Sequence, residues 1–188
     1  MEAFGGRRRD HPPALQLSHT ACRSVDERWQ LDGDALDGCG LRIAVQRLAA
    51  SHWRPSGVLR SWGLAPLFRD GDTLCVPCAD DEALWLGAWP EPAGPGGTLS
   101  LTDPASGLGA SISVPAQQTI TALGGQQPIA RPTDVTARTL QLVMALQTHS
   151  PVTITISLVL MAPAAWSARA GRSWTALAGP PPLPPRLG

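Results

Sequence analysis

Lysine, asparagine and tyrosine are missing from this 188-residue chain, and phenylalanine occurs only twice. All 15 basic residues are therefore arginine, set against 15 acidic residues for a formal net charge of zero. A neutral chain lacks the basic face that general nucleic-acid binding needs, so nucleic acid is not an expected partner. The run Arg7-Arg8-Arg9 is a local exception and reads as solvated charge on a tail. Charged residues make up only 16% of the chain, below the usual ~25%. Hydrophobic residues make up 43%, the balance of a packed domain and not of a disordered one.

Long apolar runs are absent as well. None approaches the ~20 residues that carry a helix across a bilayer, so no membrane span is expected. Arg7-Arg8-Arg9 leads into Asp10-His11-Pro12-Pro13, where a signal peptide would carry an apolar core. The expected location is cytoplasmic or inside an internally built assembly. Four cysteines are too few for a disulfide scaffold at this length. The Ala, Gly, Pro and Arg bias is that of a GC-rich, bacterial or phage-like coding sequence and carries no functional signal. Also lacking are the 10–15-residue helical crossovers of a doubly wound fold, any internal repeat, and the GxSxG, Walker and GxGxxG signatures. No catalytic residue stands out, and the chain is expected not to be an enzyme.

What is present is short strands. Pro and Gly, 19 each, punctuate the chain closely and disfavour long helices. The centre of the pattern is Thr73–Trp89, where Thr73–Pro77 and Ala83–Trp89 flank the acidic trio Asp80-Asp81-Glu82. Extended segments are also expected at Ala14–His19, Val25–Leu31, Val58–Trp62 and Thr119–Leu123. Thr98–Thr102 and Gly109–Val114 form a hairpin around Asp103–Gly107. Arg138–Gln147 and Pro151–Met161 form the clearest one. In the second of these, Val152, Ile154, Ile156, Leu158 and Leu160 alternate with Thr153, Thr155 and Ser157. Leu41–Trp53 fits a strand or a helical face; its strand-like neighbours favour the strand. These elements imply an all-β fold, an antiparallel β-sandwich of jelly-roll or Ig-like type. The boundaries are a flexible arm at 1–13, the sandwich at 14–162 and an Ala/Pro-rich tail at 163–188. Ala162–Arg172 is a loop or a helical turn, and Pro182-Leu-Pro-Pro185 with Arg186 has the PxxP spacing of a polyproline ligand.

Few residues offer chemistry. Cys75-Val-Pro-Cys78 has metal-site spacing, and His19-Thr-Ala-Cys22 has the matching His/Cys spacing. Together they are the candidate zinc set, weighed against buried cysteines that act as small hydrophobes. No cofactor and no stoichiometric metal are expected. Asp80-Asp81-Glu82 reads as a solvated turn, and Asp32, Asp34 and Asp37 do not follow the EF-hand spacing. Trp85 and Trp89 share one strand face, roughly 13 Å apart. With Trp53 and Trp62 they are either core or a platform for a sugar or a protein. Leu84 and Leu86 take the opposite face, so this strand is apolar on both sides. Residues 139–168 hold no Asp, Glu or Arg. The expected function is protein association or structural assembly, with another protein chain, a homo-oligomer or a larger assembly as partner, through the outer side of the last hairpin around Thr155 or through the Trp85/Trp89 face. The alternatives are a carbohydrate-binding module on Trp85 and Trp89, or a small zinc-bearing domain; and the uncharged face has a second reading, in which the N-terminal arm and the Pro-rich tail of the same chain cover it.

Overall fold

The computed structural model describes residues 29–55, 59–92, 94–149 and 151–179. The expected arm at 1–13, the strand Ala14–His19, the zinc candidates His19 and Cys22, and the PxxP segment lie outside the described residues. Within them the chain is mostly β. In chain order the strands are β1 (Trp29–Asp32), β2 (Ala35–Gly38), β3 (Leu41–Ala49), β4 (Phe68–Asp70), β5 (Thr73–Pro77), β6 (Glu82–Pro90) and β7 (Gly97–Thr102). They continue with β8 (Gly109–Val114), β9 (Thr119–Ile120), β10 (Ala122–Leu123), β11 (Gln127–Pro128), β12 (Ala137–Leu146) and β13 (Val152–Met161). Among the described residues one α-helix, α1 (Pro163–Ala170), follows β13. No helix among the described residues is long and apolar enough to cross a membrane.

Two large sheets and one small one result. The five-stranded sheet has the order β1-β2-β3-β6-β9, the six-stranded sheet β4-β5-β13-β12-β7-β8, and β10 pairs with β11 alone. Alternation decides which side chains meet between the sheets. Ile43 and Val45 of β3 and Leu84 and Leu86 of β6 join Leu142, Met144, Ile154 and Ile156 of the other sheet in one apolar cluster. β12 and β13 pair antiparallel over ten residues, with Leu142 opposite Ile156 and Val143 opposite Thr155. Turn chemistry sets the hairpins: Gly33 and Gly71 take φ of +60° and +58° in the two-residue links β1–β2 and β4–β5.

Several expectations need correction. The six-stranded sheet is mixed, because β5 runs parallel to β13, Thr73 opposite Ser157 and Met161 opposite Pro77. The two strands lie some seventy residues apart in sequence, and no local pattern carries their relative direction. Leu41–Trp53 is strand as far as Ala49 and then a 3-10 turn at Ala50–His52. Arg47, which breaks the apolar alternation, stays on the inner side because it has a buried partner, described below. The described part of Val58–Trp62 is not a named strand. Its backbone instead runs along β3 beyond the end of β2, with Trp62 N–H donating to Arg47 O (2.8 Å) and Ala65 N–H to Val45 O (2.8 Å). Thr119–Leu123 splits between β9 and β10. β2, β4 and β11 were not expected; they are too short for a periodic signal.

The β7–β8 loop is tied by Asp103, which is buried although it belongs to a turn. Its carboxylate accepts from Ala105 N–H (3.0 Å), from the Ser106 hydroxyl (2.6 Å) and from Arg138 (2.9 Å). Burial opposes the charged form, but the Ser106, Arg138 and Ala105 bonds outweigh it and hold the carboxyl below its usual value. A depressed carboxyl pKa stabilises the fold above the unfolded-state pKa and loses that contribution as pH falls through the folded one. Asp103→Asn should therefore lower the melting temperature at pH 7 and flatten its decline below about pH 4. Equal acid dependence of variant and wild type in thermal melts would exclude this role.

Ile154 and Ile156 are 3% and 6% exposed, and Thr155 between them faces solvent. Ile154→Ala and Ile156→Ala should each cost about 2–5 kcal/mol in chemical denaturation, and Thr155→Ala much less. A larger loss at Thr155 would mean that the register is shifted by one residue.

Candidate functional site

The same alternation that sends Ile154 and Ile156 inward sends Thr153, Thr155 and Ser157 outward. Strand register then lines these side chains up across the sheet. One row runs Ser111, Ser100, Val143, Thr155 across β8, β7, β12 and β13. The next runs Ser113, Thr98, Ala145, Thr153, and on the other side lie Gly109, Thr102, Gln141 and Ser157. All are exposed or half-buried. The Ser100 and Ser111 hydroxyls hydrogen-bond to one another across the strands at 2.9 Å. None of these positions is ionisable. The nearest charge on β12, Arg138, points inward instead, to Asp103 and to Ala130 O (2.7 Å). Thr155, expected as an interface residue, stands in this neutral hydroxyl-bearing face.

Helix α1 bounds the face on one side. Pro163 starts it with a pre-set φ. Trp166 is fully buried from it against Cys75 and Met161, and its indole N–H donates to Cys75 O (3.1 Å). Val159 packs at the rim of the same cluster. The outer end of β13 is thus covered by its own chain, and the segment expected as a tail from 163 supplies that cover.

The tryptophans are placed on the outer side of the five-stranded sheet. Trp85 faces Gln46, and Trp89 faces Arg42, so the two do share a face. Trp85 is only 9% exposed, packed with Leu48 and Ala83 beneath Trp53, Leu59 and Trp62. Trp53 is anchored through its indole N–H to Thr121 O (2.9 Å), and Trp62 meets His52 edge-on at 4.9 Å. A Cβ on Gly87 would lie 2.0 Å from the Trp89 ring, so Gly87 leaves the space that Trp89 folds into. A stacking platform needs an open ring face, and Trp85 does not present one; the apolar outer side of β6 is largely covered from within the chain.

Cys75 and Cys78 are both buried, in keeping with the small-hydrophobe reading, whereas the acidic trio departs in part from its reading. Cys75 lies under α1 and Cys78 in the main core, on opposite sides of the sheet. Burial pushes the Cys78 thiol up to about 11 and raises Cys75 as well, against the thiolate character that metal binding requires. Among the described residues no three His, Cys, Asp or Glu side chains form a metal-holding group. Of the acidic trio, Asp80 and Asp81 are exposed in a turn, as read, but Glu82 belongs to β6 and is not solvated. Glu82 is 2% exposed and pairs with buried Arg47, while its other oxygen accepts from Ala79 N–H (3.2 Å). Arg47 also donates to Thr175 O (3.1 Å) and lies 5.3 Å from the Trp174 ring centre. Asp80 pairs with Arg131, whose Nε donates to Cys78 O (3.1 Å). The signal missed in the sequence was Arg47 itself, a charge at an inward strand position that demands an opposite charge nearby.

Removing one partner of a buried ion pair leaves the other uncompensated. Glu82→Ala should cost about 3–5 kcal/mol, whereas Arg47→Met with Glu82→Leu should recover most of that loss. A denaturant double-mutant cycle with no coupling between the two sites would contradict this. Comparison of the chain with family models, with curated proteins and with solved structures finds no match.

Proposed function

We propose that the chain is a non-enzymatic interaction or assembly module. In this reading its two large sheets are the layers of a β-sandwich, and the outer face of the six-stranded sheet binds another protein chain. The carrying observation is the absence of any ionisable side chain from three adjacent rows across four strands. Ordinary protein surface is rich in charge, and the core of an interface is depleted of it. Internal cover supports this choice over the Trp85/Trp89 face: Trp85 lies under Trp53, Leu59 and Trp62, whereas Thr153, Thr155 and Ser157 are exposed. The same burial weighs against sugar binding on Trp85. The raised thiols and the separation of Cys75 from Cys78 weigh against the zinc reading.

The test uses tagged full-length chain expressed at natural abundance in its own cells. Wild type should purify with a stoichiometric protein partner, its own copies included. Thr155→Arg should lose that partner while keeping the wild-type circular dichroism spectrum and melting temperature. A wild-type chain that purifies alone as a monomer, or a partner retained by Thr155→Arg, would rule the face out.

A further inference from the structure

We infer that the partner on this face is a second copy of the same chain, packed sheet to sheet about a two-fold axis that runs along the strands between β12 and β7. The inference rests on the interaction reading above and goes further by naming the partner. A two-fold axis brings residues close to it against their own copies. An arginine or an aspartate placed there meets its like charge. A hydroxyl both donates and accepts, so Ser and Thr pair with themselves in either sense. Aliphatic side chains are equally indifferent to polarity. The face is built from these two kinds: Ser100, Ser111, Thr153 and Thr155 with Val143 and Ala145. It is suited to its own copy, and a charged partner surface would lose hydration here and find no counter-charge.

Strand order supplies the geometry. An axis along the strands, between β12 and β7, lays β12 of one protomer over β7 of the other and β13 over β8. Residues paired within the sheet then meet across the interface: Val143 opposes Ser100, and Thr155 opposes Ser111. Val143 also lies within reach of its own copy, one strand spacing of ~4.8 Å to the side. Helix α1 stands on the β5 side of each sheet. In this arrangement it falls beyond the partner's β8 edge. Sheets pack about 10 Å apart, close to the thickness of one helix layer, so α1 fits there without prising the sheets open.

The size is modest. Overlap across the axis is limited to the six rows that all four strands share, 97–102 of β7, 109–114 of β8, 141–146 of β12 and 152–157 of β13. At ~3.3 Å per residue and ~4.8 Å between strands they cover roughly 380 Å². Two such faces bury roughly 760 Å², below the ~1,000 Å² of a stable specific interface. The dimer is therefore reversible, and its mass depends on concentration.

The experiment is sedimentation of the purified full chain across a concentration series. Wild type should pass from monomer to dimer, a two-fold rise in mass. Val143→Arg and Val143→Glu should each remain monomeric, since each puts like charges side by side near the axis, with circular dichroism reporting an intact fold. An equal mixture of the two should regain the dimer mass, because only self-association pairs position 143 with itself. A mixture that stays monomeric overturns the proposed axis. A wild type that stays monomeric at every concentration overturns the second-copy proposal, and does so independently of any variant's folding. If that monomer still purifies from its cells with a different partner that Thr155→Arg removes, the interaction reading stands and only the identity of the partner is refuted.

Discussion

The ten-residue ladder between β12 and β13 is the constraint on which the rest of the molecule depends. Each strand has a second neighbour: β7 pairs with β12 over residues 141–146, and β5 pairs with β13 over residues 157–161. Over those spans the backbone groups are paired on both sides without help from solvent. Side-chain alternation then allows one orientation only. A slip of one residue would bury Thr153, Thr155 and Ser157 and expose Ile154, Ile156 and Leu158. The apolar core and the neutral outer face are two sides of this one register.

The absence of lysine gives the ends of the core their character. Arg131 reaches the carbonyls of Cys78 and Pro132 as well as Asp80, and Arg138 bridges Ala130 O and Asp103. A planar guanidinium carries several fixed donors and can serve backbone and carboxylate at once; an ammonium is a single point of charge. Arg47 does the same for Glu82 and Thr175 O while packing against Trp174. The sparse charge of this chain is spent in such places. Arg47, Glu82, Asp103 and Arg131 are all buried, and the outer face of the six-stranded sheet is left with hydroxyls, amides and small aliphatics.

Covering segments complete the structure. Trp53, Leu59 and Trp62 lie over Trp85, and α1 lies over Cys75 and Met161. Each removes an apolar patch from water that would otherwise need a second chain. The short edge strands β4 and β9 offer little backbone for unwanted pairing.

Periodicity and turn residues were enough to read the β12–β13 and β7–β8 hairpins, the strands β5 and β6, and the opposite orientations of Ile154 and Thr155. Each depends on neighbours within a few residues, and a period of two is a local property. The exposed place of Thr155 followed from it directly. The sequence could not place Glu82 in the interior, because its partner Arg47 is 35 residues away and an acidic trio in a turn looks the same whether or not an arginine arrives. Nor could it show that Trp85 would be covered by Trp53 and Trp62, or that Cys75 and Cys78 would part to opposite sides of a sheet. The parallel run of β5 beside β13 was likewise invisible. Local alternation determined which faces are apolar and which are neutral; only the tertiary fold decided which of those faces the chain covers itself, since that depends on contacts between segments whose sequences carry no record of each other.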